Sequence, residues 1–320
     1  MLNVTVESDR VRIGDRFAVS FHRTLRIPDD GRSYPLPPGL GRVPVHRVAD
    51  FSSRVPEAWQ DHNGVFIPLY QREALWIGFD AAAWKPNAVK IGVGGINAVT
   101  GAAWDHHLRA NPQDYLVSPP QVWLDGVISG AGSVHQFIAM PLGIGYTVEG
   151  QVTGAEAVGG MQILVFEPRP GRFPDRPPQQ RPGTPQALRA PALGLGVGGQ
   201  IRQKLYADPH GLETWDAANH GRVNVHLVNS DQYRELTGKS PPPTPVDAKT
   251  YAAHGLPWFD LYDEGLPHLP PAAPLKDVKT ISELDTVLGL EPTPAENSFD
   301  VSEQRIHRLP LAQAGPEADD

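Results

Sequence analysis

Six short apolar runs between Phe66 and Phe166 constrain the fold more than any other feature of this sequence. They are Ala74–Phe79, Ala88–Val93, Gln121–Leu124, Val134–Met140, Tyr146–Glu149 and Met161–Phe166, each four to seven residues long. All are rich in β-branched or aromatic side chains and end at glycine or proline, the pattern of strands joined by turns. The 32 glycines and 34 prolines of the 320 residues make up roughly a fifth of the chain, where about an eighth is ordinary. Long helices tolerate that content poorly, because proline removes a backbone donor and glycine raises the entropy cost of ordering. A mainly-β fold with a sandwich-like core follows. Asn3–Val6, Arg10–Ile13 and Phe17–Ile27 alternate in polarity around the turn at Gly14-Asp15 and read as a β-meander. Gly94-Gly95 and Ser129–Gly132 supply the positive φ that tight hairpin turns need.

Two proline-rich stretches interrupt this pattern. Pro28 to Pro44 holds five prolines and three glycines and reads as a long surface loop or arm. Pro168 to Pro191 holds eight prolines and reads as a semi-rigid connector or an exposed excursion. Taking the second as a boundary gives a β-rich domain over 1–167, a connector over 168–191, a second β-rich region over 192–290 and an acidic, disordered tail over 291–320. The second region offers Gln200–Tyr206 and Val223–Val228 as strands. Three short helices are expected after them: Asp231–Thr237 behind Ser230, Ala248–His254 behind Asp247, and Ile281–Leu288 behind the capping box Thr280–Glu283. Pro141–Gly145 and Leu193–Gly196, each followed by a glycine-glutamine pair, could record a duplicated sheet unit; chance matching in a glycine-rich chain is the simpler explanation.

The formal net charge is −8, and most of it belongs to the tail, where seven acids face only Arg305 and Arg308. The body has no basic face able to neutralise phosphates, so nucleic acid is not an expected partner. The absence of cysteine excludes disulfides, thiolate metal sites and cysteine nucleophiles, leaving oxygen and imidazole chemistry. No apolar stretch approaches the length that spans a bilayer, and no secretory signal is recognisable, so a soluble, cytoplasmic protein is expected.

Candidate chemistry is scattered. Asp105-His106-His107 with His135 offers a metal or general-base set, although adjacent histidines on a strand point to opposite faces. Surface or structurally bonded histidines are the simpler reading. Asp125 and Glu149 would make a paired-carboxylate hydrolytic site if about 5–9 Å apart. Trp258–Glu264 packs three aromatics and three acids together: Trp258, Asp260 and Tyr262 could line a sugar subsite, and Asp260, Asp263 and Glu264 could bind calcium or another divalent metal. The same stretch reads more simply as an anchor for the carboxy-terminal helices. Gly194–Gly199 spells G-x-G-x-x-G, but prolines stand where the preceding buried strand should be, so a loop or strand entry is preferred to dinucleotide binding. The seven tryptophans are expected mostly in the core. G-x-S-x-G, a Walker A loop and EF-hand spacing are all missing.

The runs Pro68–Trp76, Ala139–Gly143 and Trp258–Glu264 resemble those of a family of uncharacterised bacterial and fungal proteins, some labelled "integral membrane protein", over most of residues 24–290. The resemblance implies no reaction, cofactor or catalytic residue, and the membrane label disagrees with the hydropathy. With no catalytic motif in hand, the leading expectation is a non-catalytic binding or assembly protein for a carbohydrate, another polar ligand, a protein partner or a second copy of itself, needing no cofactor. The alternatives are a hydrolase using Asp105, His107 and His135, or Asp125 and Glu149, and a calcium-dependent binding module.

Overall fold

Phe17–Thr24 and Ala74–Ala81 lie antiparallel from Phe17 opposite Ala81 to Thr24 opposite Ala74, and around this pair a ten-stranded sheet is built. Arg10–Ile13 and Val4–Val6 extend it on one side; Ser133–Ile138, Val197–Arg202 and the parallel Ser33–Tyr34 extend it on the other. A second, seven-stranded sheet runs Ile96–Asn97, Asn87–Val93, Met161–Pro168, Trp215–Val228, Val65–Pro68 and His46–Arg47, with Leu116–Ser118 also on Asn87–Val93. This computed structural model describes residues 1–60, 63–130, 132–177, 197–244, 246–261, 265–291 and 297–309.

Alternation decides which face of each strand meets the other sheet. Phe17, Val19 and Phe21 of the first sheet and Val89, Ile91, Ile163, Val165, Val223 and Val225 of the second share one buried cluster. Each such side chain contributes roughly 1.5–3 kcal/mol by leaving water, so a one-residue slip in either sheet would forfeit the whole face. The result is the sandwich-like, mainly-β fold that the short runs predict. The outer face of the second sheet is covered in turn: Ala88, Leu164 and Phe166 pack with Tyr115, Val117 and Trp215, while Phe66 and Val228 pack with Val48, Tyr233 and Leu236.

Gly94 and Gly95, both at positive φ, join Val93 to its partner Ile96 as expected. Several other expectations need correction. Pro28–Pro44, expected as a surface loop or arm, supplies the strands Ser33–Tyr34 and Gly39–Arg42 to the first sheet and buries Tyr34 and Leu36. Tyr146–Glu149 is not a strand: the Thr147 hydroxyl accepts from the Gly150 N–H and starts the helix Val148–Thr153, which Gly154 ends in the left-handed region. The proline-rich segment does not divide two sheets, because Val197–Arg202 pairs with Ser133–Ile138 in the first and Trp215–Val228 with Met161–Pro168 in the second. Residues 178–191 of that segment, and Leu193–Gly196, lie outside the described residues. Val197–Arg202 is a strand, so the G-x-G-x-x-G spelling opens no helix. The glycine-rich match at Pro141–Gly145 leads instead into a helix.

The helices Ser230–Thr237, Ala248–Ala253 and Ile281–Val287 form where expected, the first capped by Asn229 rather than Ser230. The tail is ordered in part. Phe299 buries its ring against Tyr34 and Trp258, and Ile306–Leu309 pairs in parallel with Trp258–Leu261. Burying that ring offsets the ordering entropy that the acidic composition alone would not.

Candidate functional site

At one end of the sandwich the strands Val65–Pro68, Ser133–Ile138 and Trp215–Val228 finish and Met161–Pro168 begins. The segments that leave these strands wall a cleft of about 320 Å³, within the span of about 300–1,000 Å³ usual for small-ligand sites. Leu69, Tyr70 and Gln71 form one wall, Ala139 to Leu142 a second, Gly94 with Val158 to Gly160 a third, and Trp59, His226, Asn229 and Gln232 the fourth.

The walls are held by three carboxylates, those of Glu73 and Glu149 buried and that of Glu156 partly so. Glu73, 3% exposed, accepts from the Tyr70 backbone N–H at 2.8 Å and from Arg23 Nε at 2.6 Å, which sets the turn carrying Tyr70 and Gln71. The Arg72 N–H donates to the Ala139 carbonyl at 2.7 Å and the Ala139 N–H to the Glu73 carbonyl at 2.8 Å, tying the first wall to the second. Glu149, 4% exposed, accepts from the N–H groups of Ala157, Val158 and Gly159 at 3.0, 2.8 and 2.8 Å. Its packing requires Gly94, where a Cβ would lie 2.7 Å from the Glu149 side chain. Glu156 accepts from Gly143 N–H, Gly145 N–H, Thr147 N–H and the Thr147 hydroxyl. Burial alone would raise its pKa, but these hydrogen bonds outweigh burial and hold the carboxyl below the ordinary range.

On the fourth wall the rings of Trp59 and His226 stack with centroids 4.4 Å apart and planes 6° from parallel. Burial pushes the His226 pKa down to about 4 against the opposing hydrogen bond to the Trp59 backbone, so the imidazole is neutral near pH 7. Its Nε2 is buried and has no partner among the described residues. Asn229 and Gln232, at the exposed rim, cap the helix Ser230–Thr237 through their amide oxygens. Among the described residues no lysine or arginine lines the cleft. It therefore offers aromatic faces, amides and backbone groups, and no fixed positive charge.

The residues singled out from sequence lie in separate places. Asp105 accepts from Lys90 at 2.8 Å and from Arg109. Burial raises its pKa, but those two partners outweigh burial and hold the carboxyl well below the usual range. Lys90 in turn reaches Asp114 and the His107 carbonyl. The His107 side chain is exposed, whereas His135, in a first-sheet strand, faces the Gly198 carbonyl at 3.1 Å. Among the described residues no three of His, Asp and Glu are grouped to hold a metal, so Asp105, His107 and His135 do not form the set expected of them.

Asp125 accepts from Trp123 Nε1 at 2.8 Å inside the first sheet, and burial raises its pKa to about 7 against that hydrogen bond. It shares no hydrogen-bond partner with Glu149, which alone of the two lines the cleft. Trp258 is 1% exposed, its ring packed on Phe299 and edge-on to Tyr251, leaving no face for a sugar. Asp260 pairs with Arg202 at 3.5 Å; Tyr262, Asp263 and Glu264 lie outside the described residues. Sequence reasoning missed Trp59 and His226. The usable signal was the alternation Val223, Val225 inward and Asn224, His226 outward, but nothing local told which loop would cover that outward face.

Scans against protein-family models, curated proteins and solved structures found no match. Among the described residues no helix is long and apolar enough to cross a membrane.

Proposed function

We propose that this protein is a non-catalytic binding protein that seats an uncharged, hydroxyl-rich ligand of the carbohydrate class in the end cleft. The supporting observation is the flat Trp59–His226 stack beside the amides of Gln71, Asn229 and Gln232, with no cation among the described lining residues. Aromatic faces suit the apolar faces of a sugar ring, and amides suit its hydroxyls. A phosphate or carboxylate ligand would demand the charge that this lining lacks. A hydrolytic reading gains little here, because Glu149, the one carboxylate among the described lining residues, is already occupied by three backbone N–H groups.

The test is calorimetric titration of the full chain with glucose, galactose, mannose and N-acetylglucosamine, repeated with Trp59→Ala. Saturable binding to one of them, weakened at least about tenfold by the substitution, is the expected result. No binding to any, or binding indifferent to Trp59, would overturn it.

A protein partner at the same end is a second reading. Leu142, Ile144 and Val158, at 51%, 52% and 54% exposure, stand on or next to the cleft walls as unusually exposed apolar side chains. Light scattering across a hundredfold concentration range, compared with Leu142→Ser/Ile144→Ser, tests self-association.

A further inference from the structure

The Trp59–His226 stack is one end of a polar strip on the outer face of the second sheet. His226 and Asn224 point to that face from one strand, Asn224 stands opposite Gln162, and Gln162 opposite Gly92. At Gly92 the face is covered by a second indole: a Cβ there would lie 2.6 Å from Trp104, whose ring also sits 5.6 Å from the Lys90 ammonium. Gly92 thus lets Trp104 lie down on the strand, and Trp104 is half-buried like Trp59. The Trp104 backbone N–H donates to the Gly95 carbonyl at 2.8 Å, next to Gly94 of the cleft wall. His226 and Gly92 stand on strands separated by one other and two residues apart along them, so the positions that the two indoles cover are about 12 Å apart.

Three polar atoms on this strip, His226 Nε2, Asn224 Oδ1 and Trp104 Nε1, are buried and have no hydrogen-bond partner among the described residues. Such atoms are rare in folded proteins because a buried polar group left unpaired is costly. Here three of them gather on one face: His226 Nε2 beneath Trp59, Asn224 Oδ1 two residues along the same strand, and Trp104 Nε1 over Gly92 in the row of Asn224.

Resting on the reading of the end cleft as a sugar site, we infer that the ligand is a linear saccharide chain of at least three units, with Trp59 and Trp104 as stacking platforms for two units that are not adjacent. Hydroxyls of the chain supply the missing partners of Asn224, His226 and Trp104. Because these three atoms are out of reach of bulk water, the indole edges shift when the chain enters, and tryptophan emission changes with them. An extended peptide fits less well: peptides that add to sheets pair with an open edge, whereas this strip lies on a face.

The experiment titrates the full chain, by calorimetry and tryptophan emission, with the monomer and tetramer of β-1,4-glucan, α-1,4-glucan and β-1,4-linked N-acetylglucosamine. One tetramer is expected to bind roughly three- to tenfold tighter than its monomer, the share of one additional stacked ring. Trp104→Ala is expected to remove that difference, whereas Trp59→Ala weakens monomer and tetramer alike. Asn224→Ala, at a half-exposed position, serves if Trp104→Ala does not fold, and is expected to weaken the tetramer alone. Equal binding of monomer and tetramer, or a tetramer indifferent to Trp104 and Asn224, would overturn the second platform and leave the cleft reading standing. Failure of every sugar, or binding only of an unstructured peptide control, would overturn both.

Discussion

Arg72 and Asp285 stand 213 residues apart and meet as a two-pronged ion pair, with Nη1–Oδ2 and Nη2–Oδ1 at 2.6 and 2.7 Å. Tyr146 adds its hydroxyl to Asp285 Oδ1 at 2.6 Å. One carboxylate on the helix Ile281–Val287 therefore holds the turn that carries Gln71 and the segment that follows the second cleft wall. Arg72 holds φ at +64°, a strained conformation for a residue with a side chain, so the turn depends on this partner.

Asp285→Ala should lower stability by about 1–3 kcal/mol, less than a fully buried pair would cost because Arg72 is 23% exposed and can turn to water. Denaturant midpoints measure the loss. Hydrogen exchange should speed up together in peptides covering 69–73 and 141–147 and stay slow in Met161–Pro168; unchanged exchange at the turn would show that Asp285 does not hold it.

Glu149→Gln should free the loop Ala157–Gly159, since an amide offers one acceptor oxygen where the carboxylate uses two. A cost of about 1–2 kcal/mol is expected, with protease cleavage gained near Val158. Glu156→Gln should act on Gly143 to Gly145 in the same way, and digestion mapped by mass spectrometry separates the two loops.

Asp125 gives the protein an alkaline sensitivity. Its pKa is raised by burial from an ordinary 3.8 to about 7, so its stabilising contribution is complete below the unfolded value and is lost as pH rises through the folded one. Asp125→Asn should be more stable than the parent above pH 7, by about 1–3 kcal/mol, and lose that advantage near pH 4. Melting temperature against pH for both proteins checks the crossing.

His226 acts in the opposite direction. Its pKa is lowered to about 4, so the stability tied to the neutral ring is present above the ordinary 6.5 and is lost as pH falls through 4. His226→Phe keeps the stacking surface and should retain about 1–2 kcal/mol more of its neutral-pH stability at pH 4 than the parent does. The same scan reads it, and equal acid sensitivity in both proteins would remove His226 as the cause.

The strands of the sandwich were legible because each carries its own evidence. Met161–Pro168 and Asn87–Val93 are short runs rich in β-branched or aromatic side chains and are buried along their whole length, and Gly94-Gly95 marks the turn after the second. Tyr146–Glu149 misled because four residues of that composition suit a strand, and the Thr147 cap that makes it a helix depends on a hydrogen bond three residues on.

Composition and local pattern alone determined the β class, the cysteine-free chemistry and the three late helices, because backbone sterics and side-chain periodicity act within a few residues. Tertiary structure decided that the strands on both sides of Pro168–Pro191 belong to the same two sheets, that Trp258 is core, and that Trp59 lies on His226. Each of these depends on pairing across long stretches of chain, whose energy is the burial of one face against another. A residue's neighbours in sequence carry no record of that partner.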